Sequence, residues 1–148
     1  MITLDIKLDG LDRSRRDLRR IPVAAQESIE DVATDITLKT HQHAVQGVQR
    51  GPKSGRVYDL AKPTRRHQAS APGEYPATDL GRFAASIRFE LGSSTSRPWV
   101  VGTADKRGPW FEFGTSRMGA RPWLLRSFRR AVDGTDTALK AAFERRVT

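Results

Sequence analysis

Seven backbone-breaking residues fall between positions 51 and 76: Gly51, Pro52, Gly55, Pro63, Pro72, Gly73 and Pro76. Proline removes a donor and fixes φ, and glycine lacks a side chain to restrain it, so no long periodic element survives here. The chain is thereby divided into a helix-competent stretch before residue 49 and a run of short elements after residue 78. With 148 residues, 37% of them hydrophobic, there is material for one modest core, which predicts a single domain over 1–148 with 49–78 as an extended loop or arm.

Before the breakers, Ile2, Leu4, Ile6 and Leu8 alternate with Thr3, Asp5, Lys7 and Asp9, the period of a strand with one buried face. Gly10 ends that strand. Leu11, Leu18 and Ile21 then take helical spacing in a charged run, predicting a short surface helix that stops before Pro22. From Pro22 a second, long helix is expected, with Ile29, Val32, Ala33 and Ile36 on its apolar face and a weaker continuation through Ala44, Val45 and Val48. Inside the arm, residues 56–60 and 66–70 read as two strands of a protruding hairpin.

After the arm, Thr78 or Asp79 is the expected cap of a short helix carrying Leu80, Phe83 and Ala84, which runs directly into a strand with Ile87, Phe89 and Leu91 on one face. A second strand over 99–102 pairs back antiparallel, and 106–109 forms a turn. Pro122 opens a C-terminal helix whose stripe is Leu125, Phe128, Val132, Leu139 and Ala142 or Phe143, with Asp133-Gly134 kinking or splitting it. The expected class is α+β: a small, mainly antiparallel sheet packed against a long N-terminal-half helix and a C-terminal helix.

Several chemistries find little footing. There is no cysteine, so no disulfide, thiolate nucleophile or cysteine-based metal site exists. His41 and His43 sit about 200° apart around a helix and cannot share a metal. Gly47 to Ser54 departs from a phosphate loop, because its glycines are four apart and Pro52 precedes Lys53. No pair of carboxylates shares a helical face beside a nucleophile, so neither catalytic residues nor a cofactor are expected. The opening residues lack a signal peptide's apolar run, and no stretch is apolar enough to span a membrane.

Charge is distributed unevenly. The formal net charge is +9, yet residues 1–50 balance eight basic against eight acidic side chains, so the later residues hold the whole excess. Twenty of the 26 basic residues are arginine, suited to bidentate contact with phosphate or carboxylate. Within residues 51–70, Lys53, Arg56, Lys62, Arg65 and Arg66 face Asp59 alone, and they are the expected inter-subunit or DNA-facing residues. The residues Phe111-Glu112-Phe113-Gly114-Thr115 through Arg121-Pro122 read as a structural corner. Both aromatics bury area there, Gly114 reverses the chain, and Thr115 or Ser116 bonds freed N–H groups. Arg117 and Arg121 neutralise Glu112, and Pro122 restarts a helix.

Two segments carry a resemblance. Residues 70–87, from Ser70-Ala71-Pro72-Gly73-Glu74-Tyr75-Pro76 to Ser86-Ile87, and residues 110–124, with Phe111-Glu112-Phe113-Gly114-Thr115 and Ala120-Arg121-Pro122-Trp123-Leu124, resemble the tailed-phage neck and tail-completion proteins. That family includes the minor tail protein Z of lambda-type phages. The segments occur in the family's order, and Trp110 and Trp123 stand where Tyr and Phe are more usual. The resemblance implies a non-enzymatic virion protein, assembled in host cytoplasm, that forms a ring, six-fold, at the head–tail junction or the head-proximal end of the tail. Its implied partners are copies of itself, adjoining neck and tail proteins, and DNA passing through the channel without sequence specificity. The alternative reading is a basic, non-enzymatic DNA-binding protein whose arginine-rich second half grips phosphates.

Overall fold

A computed structural model describes residues 11–61 and 64–147; the expected strand over residues 2–8 and the basic residue Lys62 lie outside them. The fold is α+β. Its spine is α1 (Leu11–Arg50), a 40-residue helix that is about 60 Å long. The expected break at Pro22 does not occur, and the two anticipated helices are one. Proline here removes the N–H that would reach Leu18 and crowds that carbonyl with its ring, and Leu18 is exposed, so its carbonyl can tilt toward water.

The buried face of α1 also differs from the expected stripe. Ala24, Ser28, Thr37, Thr40, Ala44 and Val48 are buried, whereas Ile29 is exposed. Small side chains let other helices approach closely, and two of the hydroxyls bond back along α1, Ser28 to the Ala24 carbonyl at 2.6 Å and Thr37 to that of Ala33 at 2.7 Å.

Among the described residues two separate two-stranded antiparallel sheets follow, rather than one small sheet. The first is the hairpin β1 (Val57–Ala61) and β2 (Thr64–Gln68), in which Val57 faces Gln68 and Asp59 faces Arg66. After it, α2 (Arg82–Ser86) leads straight into β3 (Ile87–Glu90), as expected. The cap is not Thr78 or Asp79 but Gly81, at φ 70°, and Leu80 lies exposed outside the helix. β3 pairs with β4 (Val100–Thr103), Ile87 facing Thr103 and Phe89 facing Val101. Of the anticipated alternating face only Ile87 is buried; Phe89 and Leu91 are exposed.

The turn expected at 106–109 is instead the start of α3 (Arg107–Phe113). Asp105 sets it up: its carboxylate accepts the Arg107 N–H at 2.9 Å and its carbonyl accepts that of Gly108. The C-terminal helix is split where Asp133-Gly134 suggested, into α4 (Leu124–Ala131) and α5 (Thr135–Val147), with Gly134 at φ 74°. Both pack along α1, and Arg146 of α5 holds Asp31 at 2.6 Å and Glu27 at 3.1 Å.

The core joins Ala44 and Val48 of α1 to Tyr75, Phe83, Ala84, Ile87 and Trp123. Phe83 is its hub, meeting Phe111 and Trp123 edge-on with ring centroids 4.9 and 5.3 Å apart, the geometry that aromatic quadrupoles favour. The polar tips are satisfied: Trp123 Nε1 donates to the Gly108 carbonyl at 3.0 Å, and the Tyr75 and Ser127 hydroxyls lie 3.2 Å apart.

Candidate functional site

The corner and the 70–76 segment, far apart in sequence, are stitched together. Gly73 N–H donates to the Ala120 carbonyl at 2.8 Å. Arg121 donates from Nε to the Ser70 hydroxyl at 2.9 Å and from Nη2 to the Ser70 carbonyl at 2.9 Å. Arg126 reaches the Gly73 carbonyl at 2.8 Å while its guanidinium lies 5.2 Å from the Tyr75 ring centroid. Tyr75 and Pro76 are buried, and Gly47 of α1 lies against the Tyr75 ring so closely that an added Cβ would fall 2.4 Å from it. Only the hairpin protrudes from the expected 49–78 arm; its second part is fastened to the body.

Glu112 does not pair with Arg117 or Arg121 as the sequence suggested. Its carboxylate accepts the backbone N–H groups of Trp123 and Leu124, both at 2.8 Å, and Leu125, at 3.0 Å. These are the orphan donors that open α4, so the carboxylate caps the helix from a distance of eleven residues. Pro122 precedes α4 rather than sitting within its first turn. Gly114, at φ 77°, makes the reversal, and Thr115 Oγ1 accepts the Arg117 N–H, as anticipated. Phe111 is half-buried against Phe83, but Phe113 departs from expectation: 81% of it is exposed.

Phe113 marks a surface that the sequence reading missed. It lines an open groove of about 630 Å³ with Ala33 and Ile36 of α1, Trp99 and Val101 at β4, and Leu125 and Phe128 of α4. The expected inward stripe of α4 therefore faces out, because Ser127 and Ala131 are the residues buried against the body. Thr40 also lines the groove, and its hydroxyl, in a residue 2% exposed, has no hydrogen-bond partner. The alternation of small and large residues along α4 was the available signal, since the smaller ones permit the closer approach.

Basic candidates of the arm scatter. Arg56 is exposed, 5.3 Å from the Tyr58 ring centroid, and Arg66 pairs with Asp59 at 3.3 Å. Arg65 stands opposite Leu60 in the hairpin register. Lys53 is not on the hairpin's outer surface: its Nζ is enclosed with no hydrogen-bond partner, and burial pushes its pKa down against the opposing pull of Glu74. Glu74 itself is held below the usual carboxylate range by the Ser54 hydroxyl and N–H and by the Ala71 N–H, with Lys53 adding its charge.

His41 turns to the Ile87 carbonyl at 3.3 Å and the Phe89 ring, while His43 has a lowered pKa from burial and from Arg130 and Lys39. Among the described residues no cluster of His, Asp and Glu could hold a metal ion, and no helix is long and apolar enough to cross a membrane. Comparison with protein-family models, curated proteins and solved structures finds no match to this chain.

Proposed function

We propose that this chain is a structural protein of a tailed phage or prophage, forming a ring at the head–tail junction or the head-proximal end of the tail and enabling the two to join. The observation that carries the reading is the unpartnered apolar surface around Phe113, Leu125 and Phe128, continuous with the groove, which has the character of an assembly face. Two further features support it. The segments that resemble neck and tail-completion proteins meet through Arg121 on Ser70 and Gly73 on Ala120, so their shared pattern has an architectural use. Among the described residues the hairpin pairs with no further strand, so its edges are available for another chain to extend.

Assembly in this reading is ordered by geometry: apolar faces and strand edges bury area only when the adjoining copy is in place. The test is electron microscopy of particles from the parent phage lacking this gene, followed by addition of the purified protein. Filled heads and separate tails that join on addition are the expected result. Joined, infectious particles without the protein would overturn the reading.

A further inference from the structure

We propose that the groove between α1, β4 and α4 receives residues 2–8 of a second copy of this chain, laid in as an extended strand. Three observations converge. The groove is apolar, open and lined by Phe113, Leu125 and Phe128, large side chains left in water. Its wall includes β4, which pairs with β3 on one edge and carries no strand on the other among the described residues. The same chain contains a segment whose sequence alternates as such a strand would, Ile2, Leu4, Ile6 and Leu8 interleaved with Thr3, Asp5 and Lys7.

Reach decides which copy supplies the strand. The groove begins at Ala33, 22 residues into α1 from Leu11 or about 33 Å along the helix. Ile2 lies nine residues before Leu11, so full extension carries it at most about 30–32 Å, and Leu8 only about 10 Å. Leu4 and Ile6, seven and five residues before Leu11, extend at most about 25 Å and about 18 Å, so this pair cannot enter its own groove. From Ala33 to Thr40 the groove runs about 10 Å along α1, room for two successive same-face side chains of a strand. Leu4 and Ile6, the central pair, fill it.

Strand donation of this kind is directional: each copy gives one segment and receives one, which closes into a ring when the rotation permits. The inference rests on the self-assembly reading above and names its contact.

The test compares the full chain with Leu4→Asp/Ile6→Asp and with Phe128→Asp, by light scattering after size exclusion at matched concentrations, with circular dichroism to verify the helix content. Both variants are expected to keep their helices and to weaken self-association at least ~10-fold. Because the chain has no cysteine, Ile6→Cys protein mixed with Leu125→Cys protein reports the contact directly, and a disulfide-linked pair of unlike chains is expected. Rings that persist unchanged in Leu4→Asp/Ile6→Asp overturn the donated strand while leaving the ring reading intact. Association lost only in Phe128→Asp overturns it in favour of another occupant of the groove. A wild-type chain that neither self-associates nor forms the mixed disulfide overturns both readings.

Discussion

Glu112 and Glu74 perform related tasks at two places: Glu112 gathers the backbone N–H groups that open α4 from eleven residues away, and Glu74 ties the N–H of Ser54, twenty residues away, to that of Ala71 in its own turn. Glu112→Gln keeps one acceptor oxygen and loses the charge facing the N-terminus of α4, and is expected to lower stability by about 1–2 kcal/mol in urea unfolding. Glu112→Ala leaves three N–H groups of α4 without that partner and is expected to cost more.

The pH dependence follows from the signs. Glu74 and Asp105 have folded-state pKa values below their ordinary 4.5 and 3.8, Asp105 reaching about 2 through its bonds to Arg107. A depressed carboxylate contributes stability that is complete above its unfolded pKa and lost as pH falls through the folded one. Thermal midpoints are therefore expected to drop between pH 4.5 and 2, and Glu74→Gln and Asp105→Asn to flatten that limb. The Glu112 cap was not legible beforehand, because a cap recruited from eleven residues away leaves no local spacing to recognise. The sequence suggested charge pairing for Glu112, since Arg117 and Arg121 were the cations in view.

At the scale of elements, packing followed side-chain size more than hydrophobicity. Gly47 lets the Tyr75 ring rest on α1, and Gly47→Ala is expected to reduce stability by about 1–3 kcal/mol in the same unfolding measurement, since a buried aromatic ring cannot swing away. The hairpin, the strand pair after residue 87 and the split at Gly134 were all readable, because turn residues and alternation act locally. The buried face of α1 and the outward face of α4 were not, because Ser28, Thr40 and Ser127 count as polar in any hydropathy pattern and are buried where helices approach most closely.

That distinction sets the proper deletion. Removing residues 52–70 would also strip Ser54 from Glu74 and Ser70 from Arg121. Replacing residues 56–68 by a short glycine linker spares both, and is expected to leave the far-ultraviolet helix signal intact while abolishing ring formation and particle joining. Unchanged joining would show that the hairpin plays no part in assembly.

At the scale of the whole molecule, the charge opposes the assembly proposed above. Each chain brings a net +9, concentrated after residue 50, so copies repel as they approach. Apolar contact in the groove is insensitive to modest salt, whereas this repulsion is screened over about 10 Å at 0.1 M and about 30 Å at 0.01 M ionic strength. Self-association should therefore strengthen as salt rises from about 20 mM to about 300 mM. Attraction to DNA runs the other way, because each phosphate neutralised releases counterions and affinity falls linearly on logarithmic axes. Sedimentation velocity of the protein alone and DNA binding of the same preparation, both followed across that salt range, separate the two terms. A ring-former whose arginines only line a channel is expected to assemble better in salt and to bind short duplex DNA weakly per subunit at about 150 mM. Converting Arg56, Arg65 and Arg66 to glutamine would then reduce the DNA salt slope by up to about three and leave the salt-promoted assembly in place. Assembly that instead weakens with salt, together with low-nanomolar DNA affinity, would make the basic surface the main interface and favour a DNA-binding protein over a connector.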